Sequence, residues 1–136
     1  MDYIGKNTLR VDAISKVTGQ AQFPGDINLP NQAYLKVLIS ERPHAIIKSV
    51  DTSEAVALPG VIAVLTARDV PNNEYGLIYR DQPVLCGPGS SNPYADRVLT
   101  VADQVAIVVA ETERIAKQAI NSIKVEYEDL PVITDP

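Results

Sequence analysis

Between Thr112 and Glu128 the apolar residues change period, and that change constrains the fold more than any other stretch of the chain. Ile115, Ala116, Ala119, Ile120 and Ile123 recur at helical spacing and form one apolar stripe. Thr112 stands where an N-cap belongs, and Glu113 sits at the positive end of the helix it would start. The spacing predicts a helix over 112–121, closed by Asn121-Ser122. Directly afterwards Ile123, Val125 and Tyr127 alternate with Lys124, Glu126 and Glu128, the period of a half-exposed strand. A striped helix running straight into an alternating strand puts the chain in the α/β class, of the α+β kind with a mixed sheet.

The other apolar runs are short. Ala33–Ile39 and Ala45–Val50 read as buried strands, rich in branched and aromatic residues. Asp51 lies three residues before Glu54, the spacing of a capping box, so a short helix is expected through Val56 and Ala57 and should stop at Pro59-Gly60. Val61–Leu65 is continuous enough to be a strand covered on both faces. Val98–Thr100 and Gln104–Ala110 read as a strand pair. The expected sum is two helices and about five to seven strands. Ile115, Ala119 and Ile123 are expected to face a core made with Val37, Ile39, Val64, Ile107 and Val109.

Two stretches lack a period. Residues 1–32 read as an arm with turns, polar and extended over 10–27 with turns at Thr18-Gly19 and Pro24-Gly25, and residues 1–27 are expected to lie over the domain or reach a neighbour. Residues 67–97 are punctuated by Pro71, Gly76, Pro83, Gly87, Pro88, Gly89 and Pro93 and read as the loose part, a long functional or mobile loop. Within it Asp81–Leu85 reads as a short edge strand, because Pro83 cannot donate to a ladder. The expected division is a single domain: an arm at 1–32, a core at 33–130 and an exit linker at 131–136.

Bulk properties exclude several classes of function. A net charge of -5 and a pI near 4.7 argue against a nucleic-acid-binding face. The single cysteine, Cys86, forbids an intrachain disulfide and any cysteine-built metal or iron–sulfur site. Met1–Leu9 has no apolar stretch of the signal-peptide kind, and no apolar run approaches the ~20 residues that cross a bilayer. The expectation is a soluble cytoplasmic domain that binds neither membrane nor nucleic acid.

The residues that could carry chemistry each have an ordinary explanation. His44, the only histidine, has no histidine or cysteine companion at ligand spacing and reads as a turn residue after Pro43. Cys86 would need nearby positive charge to be reactive, and Arg80 and Arg97 are distant in sequence. Gly87-Pro88-Gly89-Ser90-Ser91 is glycine-rich, but no Gly-Lys-Ser/Thr follows and Pro88 removes a donor, so it reads as a turn rather than a phosphate cradle. Glu126, Glu128 and Asp129, with Glu111 and Glu113 nearby, read as a solvated strand face rather than a paired acid and base. No catalytic, cofactor-binding or metal-ligating residue is therefore expected on this chain.

The run Arg10-Val11-Asp12-Ala13-Ile14-Ser15-Lys16-Val17-Thr18-Gly19-Gln20-Ala21-Gln22-Phe23-Pro24-Gly25-Asp26-Ile27 resembles the opening of the α/β-hammerhead domain in the molybdenum-cofactor subunit of the xanthine dehydrogenase/aldehyde oxidase family. Arg42-Pro43-His44-Ala45, Asp51–Ala55, Leu58-Pro59-Gly60-Val61, Val105–Thr112, Val125–Glu128 and Leu130-Pro131 extend the resemblance in order along nearly the whole chain. It implies a hammerhead-like single domain with two helices and an extended N-terminal arm. It also implies a non-catalytic docking role in a molybdenum hydroxylase. Molybdopterin, iron–sulfur centres and FAD are implied for the assembled enzyme, none of them on this chain. The partners implied are the remaining domains of the molybdenum subunit and the iron–sulfur and flavin subunits, and the family's catalytic glutamate and pterin-binding segments are expected in later domains. The alternative is a free-standing module that binds a small ligand or protein through the 67–97 loop. The sequence departs from the family where Ala102-Asp103-Gln104-Val105-Ala106 replaces Gly-Gln-Pro-Val-Ala, so the turn into that strand is expected to be built differently. Residues 86–95 read as an insertion, and the substrate is not legible.

Overall fold

The computed structural model describes residues 4–133 and 135, which divide into two compact units, one up to Gln32 and one from Ala33 onward.

The first unit corrects the extended reading of the arm. Ala13–Val17 forms a short helix, α1, and Pro24–Asp26 a single 3-10 turn. No residue of α1 is buried, so local contacts hold it. The Asp12 carboxylate pairs with Lys16 Nζ and Arg10 Nε, each at 2.6 Å. The bond from Lys16, with a smaller contribution from Arg10, holds the Asp12 carboxyl below its usual range. The Thr18 hydroxyl donates to the Ile14 carbonyl at 2.7 Å, and Gly19 turns the chain out at φ 72°. A helix of five residues with no buried stripe has no apolar period to read.

The second unit keeps the expected α/β class but contains two antiparallel three-stranded sheets in place of the mixed sheet expected. Its elements are β1 (Tyr34–Ile39), β2 (Ala45–Asp51), α2 (Ser53–Val56), β3 (Val61–Thr66), β4 (Arg97–Val98), β5 (Gln104–Ala110), α3 (Glu113–Ile120) and β6 (Lys124–Asp129). One sheet has the order β1-β5-β3 and the other β4-β2-β6. Thr112 caps α3 as its position suggests, accepting the Ile115 N–H at 3.2 Å. Asp51 accepts the Ser53 N–H at 3.0 Å at the start of α2, while Glu54 pairs with Lys124 instead of closing a capping box. After α2, Gly60 takes φ 86°, and a Cβ there would stand 2.7 Å from Ile115 Cδ1. The left-handed backbone is what favours glycine here, since the Ile115 methyl is the end of a side chain that can shift.

α2 and α3 lie on the β1-β5-β3 sheet. The core beneath them joins Ala55, Ala116, Ala119 and Ile123 to Ala106, Val108 and Ala110. This corrects the choice of face: Val37, Ile107 and Val109 are only half-buried, and Ile39 is 50% exposed. Because β5 is apolar on both faces, alternation carries no phase and sequence cannot say which face the helix takes. Small residues on both sides, Ala116 and Ala119 over Ala106 and Ala110, make the helix-facing side the closer fit. A second cluster joins Ala45, Ile47, Cys86, Val98 and Val105 where the two sheets meet, with Leu38, Val50 and Val125 shared by both clusters.

Three further expectations are corrected. β3 is an edge strand with Ile62 59% exposed, so it is not covered on both faces. The strands at 98 and 104 do not pair with each other: β4 pairs with β2, and β5 with β1 and β3. Asp81–Leu85 is not a strand and contributes only an isolated bridge, Gln82 to Tyr75. Among the described residues no helix is long and apolar enough to cross a membrane.

Candidate functional site

The segment marked as loose by its prolines and glycines is organised around Asn73, which is fully buried. Its amide oxygen accepts the N–H groups of Val84 (2.7 Å) and Leu85 (3.0 Å). Its amide nitrogen donates to the Leu85 carbonyl (2.7 Å) and to Ser90 Oγ (2.8 Å). Asn92, also buried, donates to the Asn73 carbonyl at 3.2 Å and accepts the Tyr94 N–H at 2.9 Å. Sequence reasoning takes both asparagines simply as turn residues, Asn73 after Pro71-Asn72 and Asn92 before Pro93. The signal is the Asx habit of bonding nearby backbone, here used across a whole loop.

Beside this hub lies a cleft of about 880 Å³, lined among others by Tyr75, Arg80, Cys86, Tyr94, Arg97 and Asp103. Cys86 is 3% exposed, and its N–H donates to the Gln104 carbonyl at 2.6 Å. Burial, and then the charge of Asp103, push its thiol up to about 12. Such a thiol stays protonated at neutral pH and is a poor nucleophile.

The turn into β5 shows how the chain manages without the family's glycine. Ala102 takes φ 89°, the left-handed region that glycine favours. The Asp103 carboxylate accepts the Leu99 N–H (2.6 Å), the Thr100 N–H (3.0 Å) and the Thr100 hydroxyl (2.8 Å). The turn is left-handed at Ala102, and an aspartate secures it. The signal was Thr100 three residues before Asp103, a spacing at which side chain and backbone exchange hydrogen bonds.

His44 stands apart from the cleft. Its Nδ1 lies 2.9 Å from the Pro131 carbonyl, which can only accept, so Nδ1 carries the proton. The Leu130 N–H returns a bond to the His44 carbonyl at 2.9 Å. Arg42 binds Asp129 at 3.4 Å and lies over the Tyr127 ring, 5.9 Å from its centre. These contacts tie the chain beyond β6 to the start of β2.

The acidic cluster is dispersed into separate pairs. Glu128 pairs with Lys48, whose ammonium is held above its usual range mainly by that bond. Glu126 accepts the Ser49 hydroxyl at 3.2 Å. Glu113 pairs with Lys36 at 2.6 Å, and that bond holds its carboxyl below its usual range. In the glycine-rich turn, the Gly87 N–H donates to the Ala95 carbonyl at 2.5 Å, and Ser90 Oγ accepts from Asn73 and from the Asn92 N–H. Among the described residues no three His, Cys, Asp or Glu side chains are grouped to hold a metal ion. This donor set does not fit an iron–sulfur cluster, which takes four thiolates, and in the turn the Gly87 N–H and Ser90 Oγ are already engaged within the chain.

With two three-stranded sheets and α3 packed on one of them, the architecture is that of a mixed α/β domain. The family model for the aldehyde oxidase and xanthine dehydrogenase a/b hammerhead domain matches residues 18–131, and the chain belongs to that family. It is 45% identical over 129 residues to a probable xanthine dehydrogenase subunit of Bacillus subtilis, covering 94% of this chain and 16% of the relative. It is 38% identical over 128 residues to the nicotinate dehydrogenase large molybdopterin subunit of Eubacterium barkeri, covering 93% of this chain and 28% of the relative. Among solved structures, the reconstituted CO dehydrogenase from Oligotropha carboxidovorans superposes with a TM-score of 0.84 at 37% identity, over 96% of this chain and 16% of that one. The chain thus spans less than a third of the length of each of these relatives.

Proposed function

We propose that this chain is a structural and docking domain of a molybdenum hydroxylase and supplies none of its catalytic, cofactor-binding or metal-ligating residues. The observation that carries the reading is the coverage: 94% of this chain matches only 16% of the Bacillus subtilis relative. The uses of the polar side chains support it. His44 holds the Pro131 carbonyl, Asn73 builds a loop, and Lys48 and Lys36 occupy Glu128 and Glu113.

On this reading the domain works by presenting a rigid surface to the remaining domains of the molybdenum subunit and, through them, to iron–sulfur and flavin subunits. Molybdopterin, iron–sulfur centres and FAD belong to that assembly and supply its redox chemistry. The division into an arm at 1–32, a core at 33–130 and an exit linker at 131–136 is part of the proposal. So is a cytoplasmic location, which suits an unpaired thiol such as Cys86.

Metal analysis and a dye-reduction assay test the reading, on the chain alone and again after the remaining domains of the large subunit are added. Inactivity alone, with activity on reconstitution, is the expected result. Stoichiometric molybdopterin on the chain alone would overturn it. Continued inactivity together with tight binding of a small molecule in the 74–104 cleft would favour the free-standing module.

A further inference from the structure

The β1-β5-β3 sheet has a second apolar face, turned away from α2 and α3. The register aligns Leu35, Val109 and Ala63 across it in one row, and Val37, Ile107 and Leu65 in the next. Every side chain in both rows is apolar. Leu35 is 55% exposed and Leu65 39%, and the other four are half-buried. An antiparallel sheet with one solvated face alternates apolar and polar residues along its strands. β5 instead reads Gln-Val-Ala-Ile-Val-Val-Ala, the pattern of a strand covered on both sides. A contiguous apolar patch of this kind marks an interaction surface.

We propose that this face is the seat of the remaining domains of the large molybdenum subunit, an inference that rests on the docking reading above. Length names the occupant. The chain accounts for 16% of the Bacillus subtilis relative and 16% of the solved CO dehydrogenase chain, so most of each polypeptide lies outside this domain. The two rows carry no charge, so the surface that meets them is an apolar layer, and its specificity comes from shape.

Thiol labelling tests this cleanly, because the native Cys86 is buried and protonated and stays silent to a maleimide. Leu35→Cys and Leu65→Cys report the face, and Gln118→Cys, at an exposed position of α3, reports an open site. In the free chain all three label quickly. In the assembled large subunit the two face positions are expected to slow by at least about tenfold. Rapid labelling at both face positions in an intact assembly would overturn this inference and leave the docking reading standing. Slow labelling in the free chain would also overturn it: sedimentation as a dimer would assign the face to a second copy, and as a monomer to the chain's own residues. Failure of the chain to assemble with the remaining domains would remove the docking reading and this inference with it. Circular dichroism of each variant shows that a slow rate comes from burial and a fast one not from unfolding.

Discussion

Replacing Ala102 with glycine is expected to stabilise the chain. Ala102 sits at φ 89°, where a Cβ crowds the backbone at a cost of about 1–2 kcal/mol. The turn cannot relax to escape this. The Ala102 N–H donates to the Ser40 carbonyl at 3.0 Å, and the Ser40 N–H to the Asp103 carbonyl at 2.8 Å. Ser40 is itself fully buried at the end of β1. Glycine would remove the crowding but add freedom to the unfolded chain, offsetting about 0.5–1 kcal/mol. Ala102 is exposed, so no cavity term enters. The net gain is about 0.5–1 kcal/mol, or roughly 2–5 °C in midpoint for a domain of this size. Urea unfolding measures it as a higher midpoint at unchanged slope. Ala102→Val should move the other way, because a branched Cβ is worse in the left-handed region. An unchanged or lowered midpoint for Ala102→Gly would refute the claim that this turn stores strain.

Val108→Ala, facing α3, should cost about 1–3 kcal/mol in the free chain, and Ile107→Ala on the opposite face clearly less; equal losses by urea titration would contradict the assignment of faces. Asn73→Ala should cost about 2–5 kcal/mol, because it strands several buried backbone groups at once. A loss under about 1 kcal/mol would show that the loop stands without its hub. Acid should weaken the fold in part through Glu113. Its folded carboxyl lies below its usual range, so its contribution is present above the unfolded value and is lost as pH falls through the folded one. Glu113→Gln should flatten that part of the stability–pH curve. Lys48 runs oppositely. Its raised ammonium contributes below the usual lysine value, and the contribution fades as pH rises through the higher folded value; Glu128→Gln should remove most of it, since Glu126 adds only the smaller part.

Local periodicity by itself determined α3, its Thr112 cap and the alternation of β6, whereas α2 ends at Val56, before the stop expected at Pro59-Gly60. The first three depend on residues a few positions apart, where spacing encodes geometry directly. The family, too, was legible in the N-terminal run and its later matches. Only the tertiary structure decided which face of β5 meets the helix, since a strand apolar on both sides has no phase to read. Likewise β4's partner, the Asn73 hub and the His44 bond to Pro131 join residues far apart in sequence, and only the closed chain brings them within bonding distance. The α1 helix fell between the two. It is local, but it is held by ion pairs rather than an apolar stripe, and hydrophobic spacing does not register such contacts.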